Sequence, residues 1–167
     1  FCLIIPQAGT FCAAADETGL EQLAKLSRDR DWPWWRGPSR NGIATSAFAP
    51  VKFSNTDGFR WKAPVPGRGH SSPVVVGDRV YLTTADEARE SQSVLAFDRG
   101  SGDLVWHELV SQGGFPAKNH PKNSEATPTI ACDGERLFAT FFHHQAIHVT
   151  ALGLDGKRIW QKSVGAF

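Results

Sequence analysis

At 167 residues, with 18 Lys plus Arg against 17 Asp plus Glu and a formal net charge of +1, the chain has no global basic footprint for nucleic acid and no acidic one for cations. Length alone would allow one domain with a sizeable core. The repeated pattern described below overrides that reading.

The chain begins at Phe1 and contains no Met, which points to a record lacking its true start. Phe1-Cys2-Leu3-Ile4-Ile5 is apolar, and Ala13-Ala14-Ala15 before Asp16 fits the small-residue rule for signal-peptidase cleavage, so residues 1–15 are read as a truncated signal peptide. An apolar tail is the alternative, and the run is far below the ~20 residues of a membrane span. Export would remove Cys2 and Cys12, leaving Cys132 alone and no internal disulfide. In the next segment, 16–58, Thr18-Gly19-Leu20-Glu21 resembles a capping box. Leu20, Leu23 and Ala24 share one helical face, which suggests a short amphipathic helix or, failing that, a solvated linker.

Asp31-Trp32-Pro33-Trp34-Trp35-Arg36-Gly37-Pro38 has the most unusual composition. Each indole can bury about 150–250 Å², an upper estimate of ~4–6 kcal/mol per ring before entropy. Pro33 and Pro38 exclude a helix interior and a central strand, so an extended strap across the body is expected, with an aromatic ligand platform as the alternative. Arg28, Arg30, Arg36, Arg40, Arg60 and Arg68 make the N-terminal part positive, but they are scattered among turns as on a solvated surface.

Phe59-Arg60-Trp61-Lys62-Ala63-Pro64-Val65 has the ending of an outer strand without three strands before it. Next come Ser72–Val76, a Gly77-Asp78 turn, Arg79–Thr84, Val94–Asp98 and Ser101–Trp106, which read as consecutive antiparallel strands joined by hairpins. Thr127–Ile130, Asp133-Gly134, Arg136–Thr140, Val149–Leu152 and Asp155–Trp160 repeat the plan. Trp61, Trp106 and Trp160 are each followed four residues later by Val, at intervals compatible with a propeller repeat of roughly 40–50 residues. The predicted fold is all-β: a partial β-propeller of two four-stranded antiparallel blades plus an orphan outer strand over 59–167, truncated at the C-terminus. An N-terminal strand that completes the last blade would explain the orphan. A ring of four to eight such blades needs on the order of 200–400 residues, so most of it is expected beyond Phe167.

Ala96-Phe97-Asp98-Arg99-Gly100-Ser101-Gly102-Asp103-Leu104-Val105-Trp106 resembles the tryptophan-docking motif of the pyrroloquinoline-quinone (PQQ) type β-propeller repeat family. The resemblance covers about Phe59 to Phe167. It implies that Ala96, Asp98, Gly102 and Trp106, with Ala151, Gly156 and Trp160 in the second copy, join neighbouring blades. The second copy departs from the pattern, with Gly153 where Asp is usual and a turn shortened to Asp155-Gly156. For the family's alcohol dehydrogenases the resemblance implies PQQ with calcium, but their adjacent Cys pair does not occur here and the residues assign no cofactor.

Chemistry is expected in the loops. Gly67-Arg68-Gly69-His70-Ser71 and Lys118–Glu125 lead into the first strands of the two blades and should share one face of the ring. Arg68, His70, Lys118, His120, Asn123 and Glu125 are the candidate ligand-binding residues; the competing reading has His70 and His120 bonded to loop backbone. His143-His144 with His148 could ligate a metal only from a turn, since adjacent strand residues point to opposite faces, and an exposed turn is the preferred reading. Cys132 lacks a nearby base at readable spacing and is read as a small hairpin residue. No hydrolase elbow, Walker loop, zinc-protease motif or dinucleotide fingerprint occurs. The favoured function is a non-catalytic exported scaffold, in the periplasm or cell envelope, binding a protein, polymer or small ligand. A quinoprotein oxidoreductase and a sensor propeller attached to a kinase are the alternatives.

Overall fold

A computed structural model describes residues 25–44, 52, 54, 56–120 and 122–166. The expected signal peptide and the capping-box helix after Thr18 lie outside these residues. Two four-stranded antiparallel sheets form the body. The first runs β1 (Val74–Val76), β2 (Arg79–Asp86), β3 (Ser91–Asp98), β4 (Leu104–Gln112), and the second β5 (Ala131–Cys132), β6 (Arg136–His143), β7 (Ala146–Gly153), β8 (Arg158–Ala166). Strand order equals sequence order in both, and the described residues contain no helix, so these are two blades of a partial propeller.

Side-chain periodicity explains the stacking of the sheets. In β6, Leu137, Ala139, Phe141 and His143 are buried while the residues between them are half-buried or exposed, the period of a strand with one face on the core. β3 is buried on both faces from Gln92 to Phe97, an interior strand between β2 and β4. Val74, Tyr81, Val94, Ala96 and Val110 of the first sheet join Ile130, Leu137, Ala139, Phe141 and Leu152 of the second in one core. Both sheets carry bulges at corresponding places, between Ala96 and Phe97 and between Ala151 and Leu152, opposite the start of the outer strand.

The second inner strand differs from expectation: Thr127–Ile130 forms no strand, and pairing starts at Ala131. Local side-chain bonds occupy the expected stretch. Thr127 Oγ1 donates to Ser124 O, Pro128 has no N–H, and Thr129 Oγ1 accepts from Ser72 N at 3.0 Å. Phe59–Val65 lies outside both sheets.

The Trp-rich strap crosses the inner edges of both sheets. Trp32 exchanges two backbone bonds with Val75 of β1, and Cys132 N of β5 donates to Pro33 O at 2.8 Å. Asp31 anchors the crossing by accepting from Gly77 N and Ser27 N. Trp35, by contrast, is 62% exposed, because only the first residues of the strap run along a sheet edge.

Candidate functional site

The loops that lead into the two sheets meet at a cleft of about 360 Å³, lined by Arg68, Glu87, Glu90, Phe115, Asn119, His120, Asn123 and Glu125 among others. Arg68 is placed by two backbone bonds to Ala85 at the end of β2. This approach requires Gly67, where a Cβ would come within 2.3 Å of Ala85 O. The Arg68 guanidinium then reaches Glu87 at 3.3 Å.

On the opposite wall, Asn119 Nδ2 donates to Glu125 Oε1 at 2.7 Å and Asn123 Nδ2 donates to Asn119 Oδ1 at 3.0 Å. Lys122 N donates to His120 Nδ1 at 3.2 Å, which orients the imidazole. Burial raises the Glu125 pKa above the ordinary carboxylate value; the Asn119 bond opposes that rise and the Glu87 charge adds to it. The cleft therefore offers carboxylates, a guanidinium, amides and an imidazole beside the Phe115 ring.

Of the six residues expected to bind ligand, Arg68, His120, Asn123 and Glu125 line the cleft, while His70 and Lys118 are exposed outside its lining. The His70 backbone N–H donates to Ala126 O at 3.1 Å and joins the two loops. Glu87, Glu90 and Phe115 were missed by sequence reasoning. A signal for the two carboxylates was available, since in an antiparallel sheet the β2–β3 turn lies at the end where β1 begins.

At the opposite end, two indoles reach the turns between the third and fourth strands of the sheets. Trp61 Nε1 donates to Arg99 O at 2.9 Å and Trp106 Nε1 donates to Leu154 O at 3.2 Å. Their rings cover Gly102 and Gly156, where a Cβ would stand 2.5 and 2.9 Å from ring carbons. Ala96 and Ala151, both fully buried, pair with Trp106 and Trp160. Asp98 accepts from the Gly100 and Ser101 amides, which hold its pKa low. Where Gly153 replaces that aspartate, Asp155 accepts from Lys157 N instead. Trp160 is half-buried beside Phe138, with Lys162 above its ring. A groove of about 480 Å³ along Lys62–Pro66 and Ser101–Leu104 flanks the Trp61 contact.

The histidines differ from an exposed turn. His144 and Gln145 have φ of 50° and 59°, both central residues of a tight hairpin turn between His143 and Ala146. His144 is exposed, but His143 is only 6% exposed, because it continues the inward phase of Phe141. Its ring stacks on His148 with centroids 3.9 Å apart, and its Nδ1 lies 2.9 Å from His144 Nδ1. Burial, then His148 and His144, bring its pKa down to about 4. Cys132 is buried and its thiol is pushed up to about 11, chiefly by desolvation, so it is a poor nucleophile at neutral pH.

Among the described residues no three His, Cys, Asp or Glu side chains converge to hold a metal ion. These residues therefore do not make the carboxylate cage that calcium beside a quinone needs, and no quinone chemistry is derived from them. No described helix is long and apolar enough to cross a membrane. The family model described as outer membrane protein assembly factor BamB matches residues 38–167. No curated protein matches the chain.

Proposed function

The chain belongs to the PQQ-type repeat family of outer membrane protein assembly factor BamB, and from that membership we propose an exported, non-catalytic propeller scaffold that binds a protein or polymer partner at its loop face. The observation that carries the proposal is the cleft itself, where Arg68, Glu87, Asn119, His120, Asn123 and Glu125 come from three separate loops to one wall-to-wall polar recess. Rigid sheets with variable loops at one end suit recognition. The name of the matching family supports a role in assembly with other proteins.

In this reading the repeats span 59–167, residues 16–58 are an N-terminal helix and Trp-rich strap, and Ala13-Ala14-Ala15 supports export cleavage and a location in the periplasm or cell envelope. Ala96, Asp98, Gly102 and Trp106, with Ala151, Gly156 and Trp160, fasten blade to blade. Arg68, His120, Asn123 and Glu125 contact the partner, with His70 and Lys118 at the margin.

Site-specific photo-crosslinking in an exporting host tests this. A crosslinker at Asn123 should give a discrete adduct that disappears when Arg68→Ala and Glu125→Gln are combined, and a crosslinker at Asp103, at the far end, should not give it. Equal adducts from both positions, or none from Asn123, would remove the loop face as the binding surface. Incubation with PQQ and calcium adds a second arm: saturable quinone binding with dye-linked alcohol oxidation would replace the scaffold by an oxidoreductase.

A further inference from the structure

We propose that His143, His144 and His148 form an acid-sensitive latch that holds the β6–β7 hairpin against the segment after β4, and with it the loop that walls the cleft. The latch is a contact of three imidazoles. His143 and His148 are stacked at 3.9 Å with planes 10° apart, and His144 meets His143 edge-on with the two Nδ1 atoms 2.9 Å apart. That Nδ1 contact is a hydrogen bond only while one of the two nitrogens lacks a proton.

His143 Nε2 is buried with no hydrogen-bond partner. As a bare acceptor it is tolerated; as the N–H of an imidazolium it would be a buried cationic donor without an acceptor. A proton added to His143 therefore meets no acceptor in the closed hairpin, whereas a solvated imidazole takes one up near pH ~6.5. Acid favours opening by that difference.

The surroundings do not offset the charge. The groups acting on His143 are His148 of β7 and His144 of the turn. The segment after β4 presents Gly113 and Gly114, and β3 and β4 present the neutral pair Gln92 and Ser111. Glu90 supplies its backbone oxygen to Gly113 N, with its side chain lining the cleft. β8 places Ser163 opposite His148, and the neighbouring Lys162 lies over Trp160.

The hairpin end is tied to both ends of the cleft loop. His144 N donates to Gly114 O at 2.7 Å, and a Cβ on Gly114 would come within 2.5 Å of the His144 ring. Gln92 Nε2 donates both to Phe142 O and to Glu125 O, at 3.1 and 2.8 Å. Release of the hairpin end frees Gly114 at the start of the loop and takes Phe142 O from Gln92, the side chain that also holds Glu125 O at its close. The inference stands whatever the cleft binds.

Hydrogen exchange on the full chain at pH 7.5 and 5.0, corrected for intrinsic rates, tests it. Amides of 113–126 and 141–148 should lose protection by about tenfold or more at the lower pH while those of β2 and β3 keep theirs. The double variant His143→Phe, His148→Phe retains two rings to stack and leaves His144 in its turn, and it should flatten the response. Unchanged protection, an equal loss over β2 and β3, or an undiminished response in the variant would overturn the latch. If the variant does not fold, imidazole NMR on the unaltered chain decides: one ring resisting protonation to below pH 5 with hairpin amides shifting as the others titrate supports it, and three ordinary titrations refute it.

Discussion

At Gly156 two constraints act on one residue: its φ is +86°, and a Cβ would stand 2.9 Å from the Trp106 ring. Gly77 has only the first, with φ +57° and nothing within 4 Å. Gly77→Ala should therefore lower unfolding free energy by about 1 kcal/mol, the strain of a left-handed backbone, and Gly156→Ala by about 2–4 kcal/mol, since the indole must also move. Urea midpoints at constant slope would check this, and equal losses would mean that Trp106 yields freely. The Asp155-Gly156 turn was legible from its own residues as a turn, and its place in a contact between blades came only from the family resemblance, because the ring that covers it belongs to another sheet. His143 shows the reverse. Its inward phase could be counted from Phe141, yet the doublets Phe141-Phe142 and His143-His144 conceal an alternation that depends on telling like residues apart.

The β6–β7 hairpin carries a pH dependence of its own. His143 has its pKa lowered from 6.5 to about 4, so between those values the unfolded chain binds the proton more readily than the folded one. Stability therefore rises with pH across that window: the contribution is complete above about 6.5 and is lost as pH falls toward about 4. Unfolding at pH 5 should be easier than at pH 7.5 by ~1–2 kcal/mol from this residue, and His143→Phe should reduce the difference. Denaturant titrations at the two pH values measure it; an unaltered difference in the variant would place the acid sensitivity elsewhere. Strand order and hairpins could be read from the turn residues, while the start of β5 could not. Thr127, Pro128 and Thr129 have a strand's composition but spend their bonds on Ser124 and Ser72, and that choice depends on the neighbouring sheet.

For the molecule as a whole, corresponding positions meet different surroundings. Val110 and Val164 each follow a Trp by four residues, yet Val110 is 2% exposed between the sheets and Val164 is 63% exposed on the face of the second. Val110→Ala should cost about 2 kcal/mol and Val164→Ala under ~0.5 kcal/mol in this chain; similar losses would mean that the second face is covered in solution. The repeat itself was legible because the Trp endings recur, and four of the six loop candidates share a recess because both loops precede an inner strand. Phe115 stayed hidden, since it comes from a linker without a motif, whereas Glu87 and Glu90 could be placed at this end only by following the β2–β3 turn. The Trp61 and Trp106 contacts lie at one end of the sheets, on the turns between the third and fourth strands, and the cleft lies at the other. Like ribs of a fan, the blades are pinned at the first of these tips by an indole and held along their length by the shared core and the loop bonds beside the cleft. Changes of length or charge in the outer parts of the cleft loops leave the indole contacts at the far tip untouched.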